Sequence, residues 1–351
     1  MSNNKPLNSH VGINERRVFV VGAGFSSCAG LPLSGNFFSE LMKFMKEIPD
    51  RKIKHLREQL RLFAFLHLSS KTGWKTFKTE SWHKEINLEH LLTIAETSAE
   101  IWDALFAKRN KYMMMMKYTV EHYVEYFKGS IALFIYSKQL KSMSSATTIL
   151  NFCKHLKYGD TIISFNWDTL IENATQILHK RLKDGIGDKK SVGLLKLHGS
   201  IDWISNVRGN RRINKYIKPI NKTVSRIIDF PAFMNTDISK YVPYLIPPTA
   251  YKRYDPWIIS FWSQANESLF YASKIFIIGY SMPMTDWASL SLLRLPFRPE
   301  ITNNSRNKPR QKRLYIINPD HSITLKFKQK VSSKAIGIYK SFNDVDWKNL
   351  S

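Results

Sequence analysis

A glycine turn near the start of the chain has the composition of an anion-binding loop. Residues 18–21 are apolar and predict a short buried strand, and Gly22-Ala23-Gly24-Phe25-Ser26 then turns the chain toward a helix. Gly22 and Gly24 lack a Cβ atom, so the backbone can approach a ligand closely, and the start of the helix directs N–H groups at an anion. The turn therefore indicates a site for a nucleotide pyrophosphate. Its structural alternative is a tight strand-to-helix turn without a ligand.

The spacing of this turn excludes two common nucleotide-binding motifs. A dehydrogenase fingerprint requires a third glycine three residues after the second, and that position is Ser27. A P-loop requires Gly-Lys followed by Ser or Thr, and no such sequence follows Gly24. The remaining motifs of the chain must therefore identify the site.

Polar or glycine residues also follow four later apolar runs. They are Asn166-Trp167-Asp168, His198-Gly199-Ser200, Gly279-Tyr280-Ser281 and Asn318-Pro319-Asp320. Because the carboxyl ends of parallel strands lie along one edge of a sheet, where ligands bind, the five clusters predict one site. Taken singly, each has a structural explanation: a helix cap for the first, a hydrogen-bonded core histidine for the second, and ordinary turns for the others.

The elements that must position these clusters are short apolar strands separated by longer segments. We predict strands at residues 18–21, 161–165, 193–197, 274–278, 314–317 and 335–339. This alternation predicts the α/β class, with a Rossmann-like doubly wound parallel sheet.

Helical spacing of apolar residues replaces the strand pattern after the glycine loop. We expect a helical insertion over residues 36–145 and a Rossmann-like domain formed by residues 16–35 plus 146–345. Residues 205–257 are richer in Pro, Asn and basic residues, and predict a loop-rich excursion over one edge.

The composition is that of a globular protein without a membrane or metal signature. The amino-terminal segment contains no apolar signal sequence, and no run of about 18 apolar residues occurs, which predicts a cytoplasmic location and no membrane partner. Cys28 and Cys153 are the two cysteines, too few for a disulfide framework or a four-thiolate zinc site. We therefore expect no zinc.

The net charge of +25 indicates attraction to nucleic acid, to an anionic membrane or to an acidic protein partner, and does not say which. Two basic runs concentrate this charge, and their members are Arg208, Arg211, Arg212, Lys215, Lys218, Lys222 and Arg226, then Arg306, Lys308, Arg310, Lys312 and Arg313. Solvated basic loops are the structural alternative for each run.

In this order, the motifs resemble those of the sirtuin-like (silent information regulator 2-like) superfamily, and more closely its bacterial branch of NAD-hydrolysing anti-phage defence proteins. The resemblance rests on the glycine turn with Gly30-Leu31-Pro32, on Phe165 with the cluster after it, on Leu197 with the cluster after it, and on the last two clusters. It covers residues 18–35 and about 160–320, and leaves the helical insertion unmatched.

The resemblance implies a role for each candidate residue toward NAD+. Asn166 would hold the attacking water or the ribose near the nicotinamide-bearing carbon, His198 would act as the general base, and Asp168 would contact the nicotinamide amide. An imidazole suits such a base and typically contributes roughly 10²- to 10⁴-fold. The residues implied to hold the rest of the dinucleotide are Gly22, Ala23, Gly24, Phe25 and Ser26 at the pyrophosphate, and Gly279, Ser281 and Asn318 around the adenosine.

The chain departs from protein-deacylating sirtuins at three points. It lacks the four cysteines of their zinc module, Leu33-Ser34 replaces their Phe-Arg pair, and Phe165 replaces the Gln before their catalytic Asn. These differences favour water as the acceptor, and the resemblance then implies an NAD+ hydrolase of an abortive-infection system.

The resemblance also suggests how such a hydrolase is controlled. It implies activation by a trigger or by assembly with a HerA-type ATPase, a short Argonaute or further copies of the same chain. The alternatives are a non-catalytic NAD or ADP-ribose sensor, an NAD-dependent protein deacylase or ADP-ribosyltransferase, and a nucleic-acid-binding module.

Overall fold

The computed structural model describes most of the chain outside the predicted insertion. The described residues are 16–49, 53–54, 57–58, 60–61, 88, 91–92, 127–141, 147–205, 217–219, 224–227, 243–246, 256–283, 286–298 and 312–350. Their strands are β1 (Arg17–Val21), β2 (Thr161–Ser164), β3 (Leu182–Asp184), β4 (Val192–Lys196), β5 (Gly199–Ser205), β6 (Ile217–Pro219), β7 (Val224–Ile227), β8 (Pro243–Leu245), β9 (Lys274–Ile278), β10 (Arg313–Ile317) and β11 (Ile336–Ile338).

Seven of these strands form one parallel sheet in the order β11-β10-β9-β1-β2-β4-β3. All six predicted strands are confirmed, with ends within one residue of the predicted ends. The strand β3 was not predicted, because it is only three residues long, lies at an edge and carries the polar sequence Leu-Lys-Asp. Central strands are visible in the sequence because both of their faces are buried, which requires nearly continuous apolar residues.

Helices cover both faces of this sheet, as the doubly wound class requires. One face packs against Ala23–Ser26, Ser34–Glu47, residues 127–141, Thr147–His155, Leu170–Ile177 and Trp347–Leu350, and the other packs against Pro256–Tyr271, Trp287–Arg294 and His321–Lys330. Strand β1 divides its side chains between the two cores, because neighbouring residues of a strand point to opposite faces. Phe19 and Val21 belong to the first core, whereas Val18 and Val20 belong to the second.

A second, antiparallel sheet with the order β6-β7-β5-β8 begins immediately after His198. Gly199 starts β5 with φ +78°, and a Cβ atom there would lie 2.0 Å from the carbonyl oxygen of Tyr244. Most of the segment 205–257, for which we predict a loop-rich excursion, lies outside the described residues, and its described parts include the three short strands β6, β7 and β8, which were not predicted. These strands form because they pair with one another and with β5. A strand of three or four residues is too short to show a clear alternation of apolar and polar residues in the sequence.

The fold class with a helical segment after the first strand and glycine loop agrees with the structure, since residues 34–47 and 127–141 are helical. The boundaries 36–145 and 146–345 stay predictions. Most of the two basic runs lies outside the described residues. Within the described residues, no helix is long and apolar enough to cross a membrane.

Candidate active site

A cavity of about 680 Å³ lies at the carboxyl ends of β1, β2, β4, β9 and β10. Each of the five sequence clusters contributes to its wall. The predicted site residues that line the cavity are Gly22, Ala23, Gly24, Ser26, Asn166, Asp168, His198, Gly279, Ser281 and Asn318. The parallel sheet therefore brings together residues that are widely separated in sequence, because every one of these strands ends at the same edge.

The glycine turn is shaped by contact with a second turn rather than only by a ligand. A Cβ atom on Gly22 would lie 2.7 Å from the Cα atom of Tyr280, and one on Gly24 would lie 2.8 Å from the Cα atom of Gly279. Gly279 itself has φ +61°, a left-handed conformation that favours glycine. Glycine is therefore required on both turns for them to pack against each other.

Three backbone N–H groups of the glycine turn are already hydrogen-bonded inside the protein. The Gly22 N–H donates to Ile278, the Gly24 N–H donates to Gly279 (2.8 Å), and the Phe25 N–H donates back to Gly22 (2.9 Å). The expectation that this turn offers its N–H groups to a pyrophosphate is thus wrong for these three groups.

Phe25 does not line the cavity, although the sequence placed it in the pyrophosphate loop. Its side chain is fully buried, and its ring lies 4.6 Å from that of Phe342 and 5.4 Å from that of Phe152, between ring centroids. The helix Ala23–Ser26 directs this side chain into the core, whereas its other three residues line the cavity. The prediction that Phe25 binds the cofactor is therefore corrected.

Asn166, Ser26 and Asp168 form a continuous hydrogen-bonded chain at the floor of the cavity. The Asn166 Nδ2 group donates to the Gly22 carbonyl and to Ser26 Oγ, both at 2.8 Å. Ser26 Oγ in turn donates to Asp168 Oδ2 at 2.6 Å. Because the Gly22 carbonyl is only an acceptor, the amide NH₂ must face it. The Asn166 Oδ1 atom accepts no hydrogen bond from the described residues, so it remains available to a ligand.

A buried lysine, Lys196 at the end of β4, supports this floor from below. Its ammonium group donates to the backbone carbonyl of Asp168, to Glu172 Oε1 at 3.0 Å and to Ser200 Oγ at 2.6 Å. Burial raises the pKa of the Glu172 carboxyl, and the neighbouring Lys196 opposes that shift. The lysine thus joins two segments: the loop that contains Asn166 and Asp168, and the start of strand β5.

His198 is buried at the cavity wall, with 3% of its surface exposed. Its ring lies 5.2 Å from the Phe165 ring and 6.3 Å from the Trp262 ring, between centroids. The His198 Nε2 atom is 3.6 Å from Asp286 Oδ2, and the Trp167 indole donates to the His198 carbonyl at 2.9 Å. The histidine is therefore held on several sides and also lines the cavity.

The turn after β9 is held in an unusual backbone conformation. Met282 has φ +54° and is buried, although it is not a glycine. Lys326, on the helix His321–Lys330, donates to the backbone carbonyls of Ser281 (2.9 Å) and Met282 (2.6 Å). These bonds fix the wall that Gly279 and Ser281 contribute, and left-handed conformations of this kind are often found at functional sites.

The far end of the cavity is built by the turn after β10. The Asn318 Oδ1 atom accepts from the Asp320 N–H at 2.9 Å, which leaves the Asn318 NH₂ group as a donor. Asp320 caps the next helix through Ser322, and hydrogen bonds from Ser322 hold the pKa of the Asp320 carboxyl below its ordinary value. This end can therefore offer both an amide donor and a carboxylate acceptor to a hydroxyl-bearing ligand.

The charges and thiols of the cavity limit its chemistry. The described lining residues include Asp168, Asp286 and Asp320 but neither lysine nor arginine. Burial raises the pKa of the Cys28 thiol, which also lines the cavity, to about 11, so this thiol is protonated at neutral pH. Within the described residues, no group of three or more His, Cys, Asp or Glu side chains is arranged to hold a metal ion.

Sequence reasoning missed two groups of residues at this cavity. Asp286 was not singled out, although its position before an apolar helix marks it as a helix N-cap. The other group is apolar, and its members are Phe37, Leu88 and Ile135. Helical periodicity assigned the helical members of this group to packing, and nothing in the sequence indicated that they reach the site.

Comparison with known proteins finds similarity only among solved structures. No protein-family model matches the sequence, and no curated protein matches it significantly. A triple mutant of a Sir2 homologue in complex with 2′-O-acetyl-ADP-ribose is 15% identical, with a TM-score of 0.43, over 95% of this chain and 90% of that one. A Sir2 homologue in complex with NAD is 14% identical, with a TM-score of 0.40, over 95% and 87%. Sir2Tm bound to a propionylated peptide is 13% identical, with a TM-score of 0.38, over 94% and 89%.

Proposed function

We propose that this protein is a sirtuin-like NAD+ glycohydrolase that converts NAD+ and water into nicotinamide and ADP-ribose. The observation that carries the proposal is that Asn166 and His198, borne by the ends of β2 and β4, line one cavity together with the glycine turn. The order of the sequence motifs, which resembles that of NAD-hydrolysing defence proteins, supports the same reading.

The charge of the cavity supports a ligand with a cationic ring. Three aspartates and no described lysine or arginine line the wall, which disfavours a nucleoside triphosphate. NAD+ carries a positive nicotinamide ring beside its pyrophosphate, and a carboxylate such as Asp168 stabilises that ring. The pyrophosphate would then lie beside Ala23, whose N–H group is not one of the three internally hydrogen-bonded groups of the glycine turn, with the adenosine near Asn318.

The proposed reaction requires that the ribose be held in position and that a water molecule be activated for attack. The bond between the ribose C1′ atom and the nicotinamide nitrogen breaks, and its electron pair goes to the ring, which leaves as neutral nicotinamide. Water attacks C1′, and His198 accepts its proton. Asn166 is anchored through its NH₂ group to Gly22 and Ser26, so its Oδ1 atom accepts a hydrogen bond from the water or from a ribose hydroxyl. Orientation of this kind lowers the entropic part of the barrier.

The surroundings of His198 favour water over an acyl-lysine as the acceptor. Phe165 and Trp262 pack near the imidazole, and Asp286 lies on a further side. These neighbours occupy several sides of the imidazole, and a water molecule needs less room beside it than an acyl-lysine does.

The test is chromatographic measurement of nicotinamide and ADP-ribose after incubation with NAD+. We expect Asn166→Ala and His198→Ala each to lower turnover by roughly 10²-fold or more, because each removes a group that acts on the reacting atoms. Asn151→Ala and His155→Ala are matched controls on the helix Thr147–His155, away from the cavity, and should retain wild-type turnover. Wild-type rates in both site variants would overturn the assignment, and NAD+ binding without any turnover would favour a sensor.

We further propose that the hydrolase serves an anti-phage abortive-infection system in the cytoplasm. Uncontrolled hydrolysis would drain the cell of NAD+, so a trigger or a partner must restrain the enzyme. The motif resemblance suggests a HerA-type ATPase, a short Argonaute or self-assembly, and the charge of +25 suits an acidic partner or nucleic acid. NAD+ hydrolysis measured with and without the product of the neighbouring gene, alongside mass by light scattering, tests this; full activity of the isolated monomer would argue against it.

A further inference from the structure

Asp286 is a buried carboxylate at the cavity wall that the mechanism above does not use. It lies between the turn after β9 and the helix Trp287–Arg294, and only 1% of its surface is exposed. It also lines the same cavity as His198. A buried carboxylate is costly unless donors satisfy it, so its partners indicate what it does.

The two oxygens of this carboxylate have different partners. Oδ1 accepts from the Ser289 N–H at 3.3 Å, which is an ordinary helix N-cap bond. Oδ2 accepts from the Ser289 hydroxyl at 2.5 Å and from the Tyr280 hydroxyl at 3.3 Å, and it is also the atom that lies 3.6 Å from His198 Nε2. Capping the helix requires only Oδ1, whereas the two hydroxyl groups hold Oδ2 at a position beside the imidazole.

We propose that Asp286 is a positioning residue that orients His198, the general base. This inference rests on the proposed function. A carboxylate facing Nε2 favours the neutral tautomer that carries its proton on Nε2, and in that tautomer the basic lone pair is on Nδ1. It also stabilises the imidazolium that forms when water is deprotonated, as a buried aspartate does beside other catalytic histidines. The separation of 3.6 Å exceeds a hydrogen bond, and catalytic contacts of this kind shorten when substrate binds.

The turns around the cavity keep the carboxylate in this place. Tyr280 donates to Asp286 Oδ2, and the Tyr280 ring stacks on Phe165 at 4.6 Å between centroids. Phe165 in turn packs near the His198 ring. The aspartate and the histidine therefore share neighbours that fix their relative position before any ligand arrives.

Two substitutions separate this role from helix capping. Asp286→Asn keeps an oxygen for the Ser289 N–H and removes the charge beside His198. Ser289→Ala is the matched control, because it removes the hydroxyl that binds Oδ2 but leaves the carboxylate next to the imidazole. We expect Asp286→Asn to lower kcat at least about 10-fold with KM for NAD+ within about twofold, and Ser289→Ala to change kcat less than about threefold. Thermal unfolding of both variants checks that the helix is intact.

A double-substitution cycle shows whether the effect acts through the histidine. In a His198→Ala background, Asp286→Asn should cause no further loss of turnover, because the group that it positions is already gone. Independent, additive losses, or a wild-type kcat in Asp286→Asn, would overturn the inference.

A measurement that does not depend on enzymatic activity tests the inference separately from the proposed function. In protein labelled with ¹⁵N-histidine, the His198 signals, assigned through His198→Ala, should report the Nε2–H tautomer in the wild type and a changed tautomer balance in Asp286→Asn. Unchanged signals would sink the inference even if NAD+ is hydrolysed. If NAD+ is not hydrolysed at all, the proposed function fails, and the ¹⁵N spectra alone decide for or against the pairing.

Discussion

Ser26 is the residue on which the two polar side chains of the cavity floor depend. Its hydroxyl accepts from Asn166 and donates to Asp168, so one side chain sets the orientation of both neighbours. Neither neighbour is fixed by its own backbone alone, since each needs a partner from the first glycine turn. At the scale of single residues, the site is therefore organised by a buried serine as much as by the candidate catalytic groups.

We expect Ser26→Ala to weaken both catalysis and folding. The substitution removes the donor to the Asp168 carboxylate, which costs about 1.5–3 kcal/mol of unfolding free energy, and it removes one of the two anchors of the Asn166 amide while the Gly22 carbonyl remains. Nicotinamide release should fall roughly 10-fold or more, as expected for a displaced reacting group. Chemical denaturation and chromatography measure the two effects.

The adjacent serine offers a matched control for this change. Ser27 lines the same cavity, and its hydroxyl donates only to the Gly24 carbonyl at 2.8 Å. Ser27→Ala should change turnover by less than about threefold. Equal losses in the two serine variants would show that the hydrogen-bonded chain through Ser26 has no special role.

Two turns, after β1 and after β9, are the elements that decide the shape of the cavity. Hydrogen bonds from Gly22 and Gly24 to the end of β9 and to Gly279 join them, and the missing Cβ atoms allow their backbones to touch. The sequence explained the same glycines by the approach of a ligand. In the structure, the first requirement on these glycines is the packing of one turn against the other.

Gly24→Ala should therefore destabilise the fold as well as the site. Its Cβ atom would lie 2.8 Å from the Cα atom of Gly279, and backbone must move to relieve that contact, at a cost of about 1–3 kcal/mol. We expect a lower denaturant midpoint and a loss of nicotinamide release. Gly35→Ala is the matched control, because a Cβ atom there meets nothing within 4 Å. A Gly24→Ala variant as stable as Gly35→Ala would contradict this account of the turns.

At the scale of the whole molecule, the residues that line the cavity and a buried ion pair that stabilises the fold lie at opposite ends of the parallel strands. The polar groups at the carboxyl ends of the strands line the cavity, whereas a buried ion pair joins β1 and β2 at their amino ends. Arg17 at the start of β1 donates to Asp160, just before β2, through Nε at 2.9 Å and Nη2 at 2.5 Å. Both side chains are 5% exposed, and the Asp160 carboxylate also accepts from the Lys157 N–H.

Asp160→Ala should lower stability without changing the chemistry. It leaves the Arg17 charge buried without its carboxylate, which costs about 3–5 kcal/mol of unfolding free energy. Measured well below its melting temperature, the variant should keep the wild-type KM for NAD+ and a kcat within about twofold. Asp184→Ala, whose carboxylate forms a partly exposed pair with Arg226, is a control expected to cost about 1 kcal/mol or less. A large change in KM for Asp160→Ala would mean that the two ends of the strands are not independent.

The sequence predicted much of this organisation because the signals are local. Each central strand is a continuous apolar run, as at Lys274–Ile278, and the polar cluster after each run is adjacent to it in the chain. Parallel packing then brings Asn166 and His198 to one edge without any knowledge of distances. The same local reasoning failed for β3 and for β6 to β8, where pairing with another strand rather than composition forms the element.

By itself, the sequence determined the parallel sheet, the order of its motifs and the edge on which a site must lie, because burial on two faces and strand direction are properties of short segments. Only the tertiary structure decided that Phe25 belongs to the core, that the glycines accommodate a second turn, and that Asp286 faces His198. Those outcomes depend on contacts between segments far apart in the chain, and residue types alone do not specify which distant groups meet.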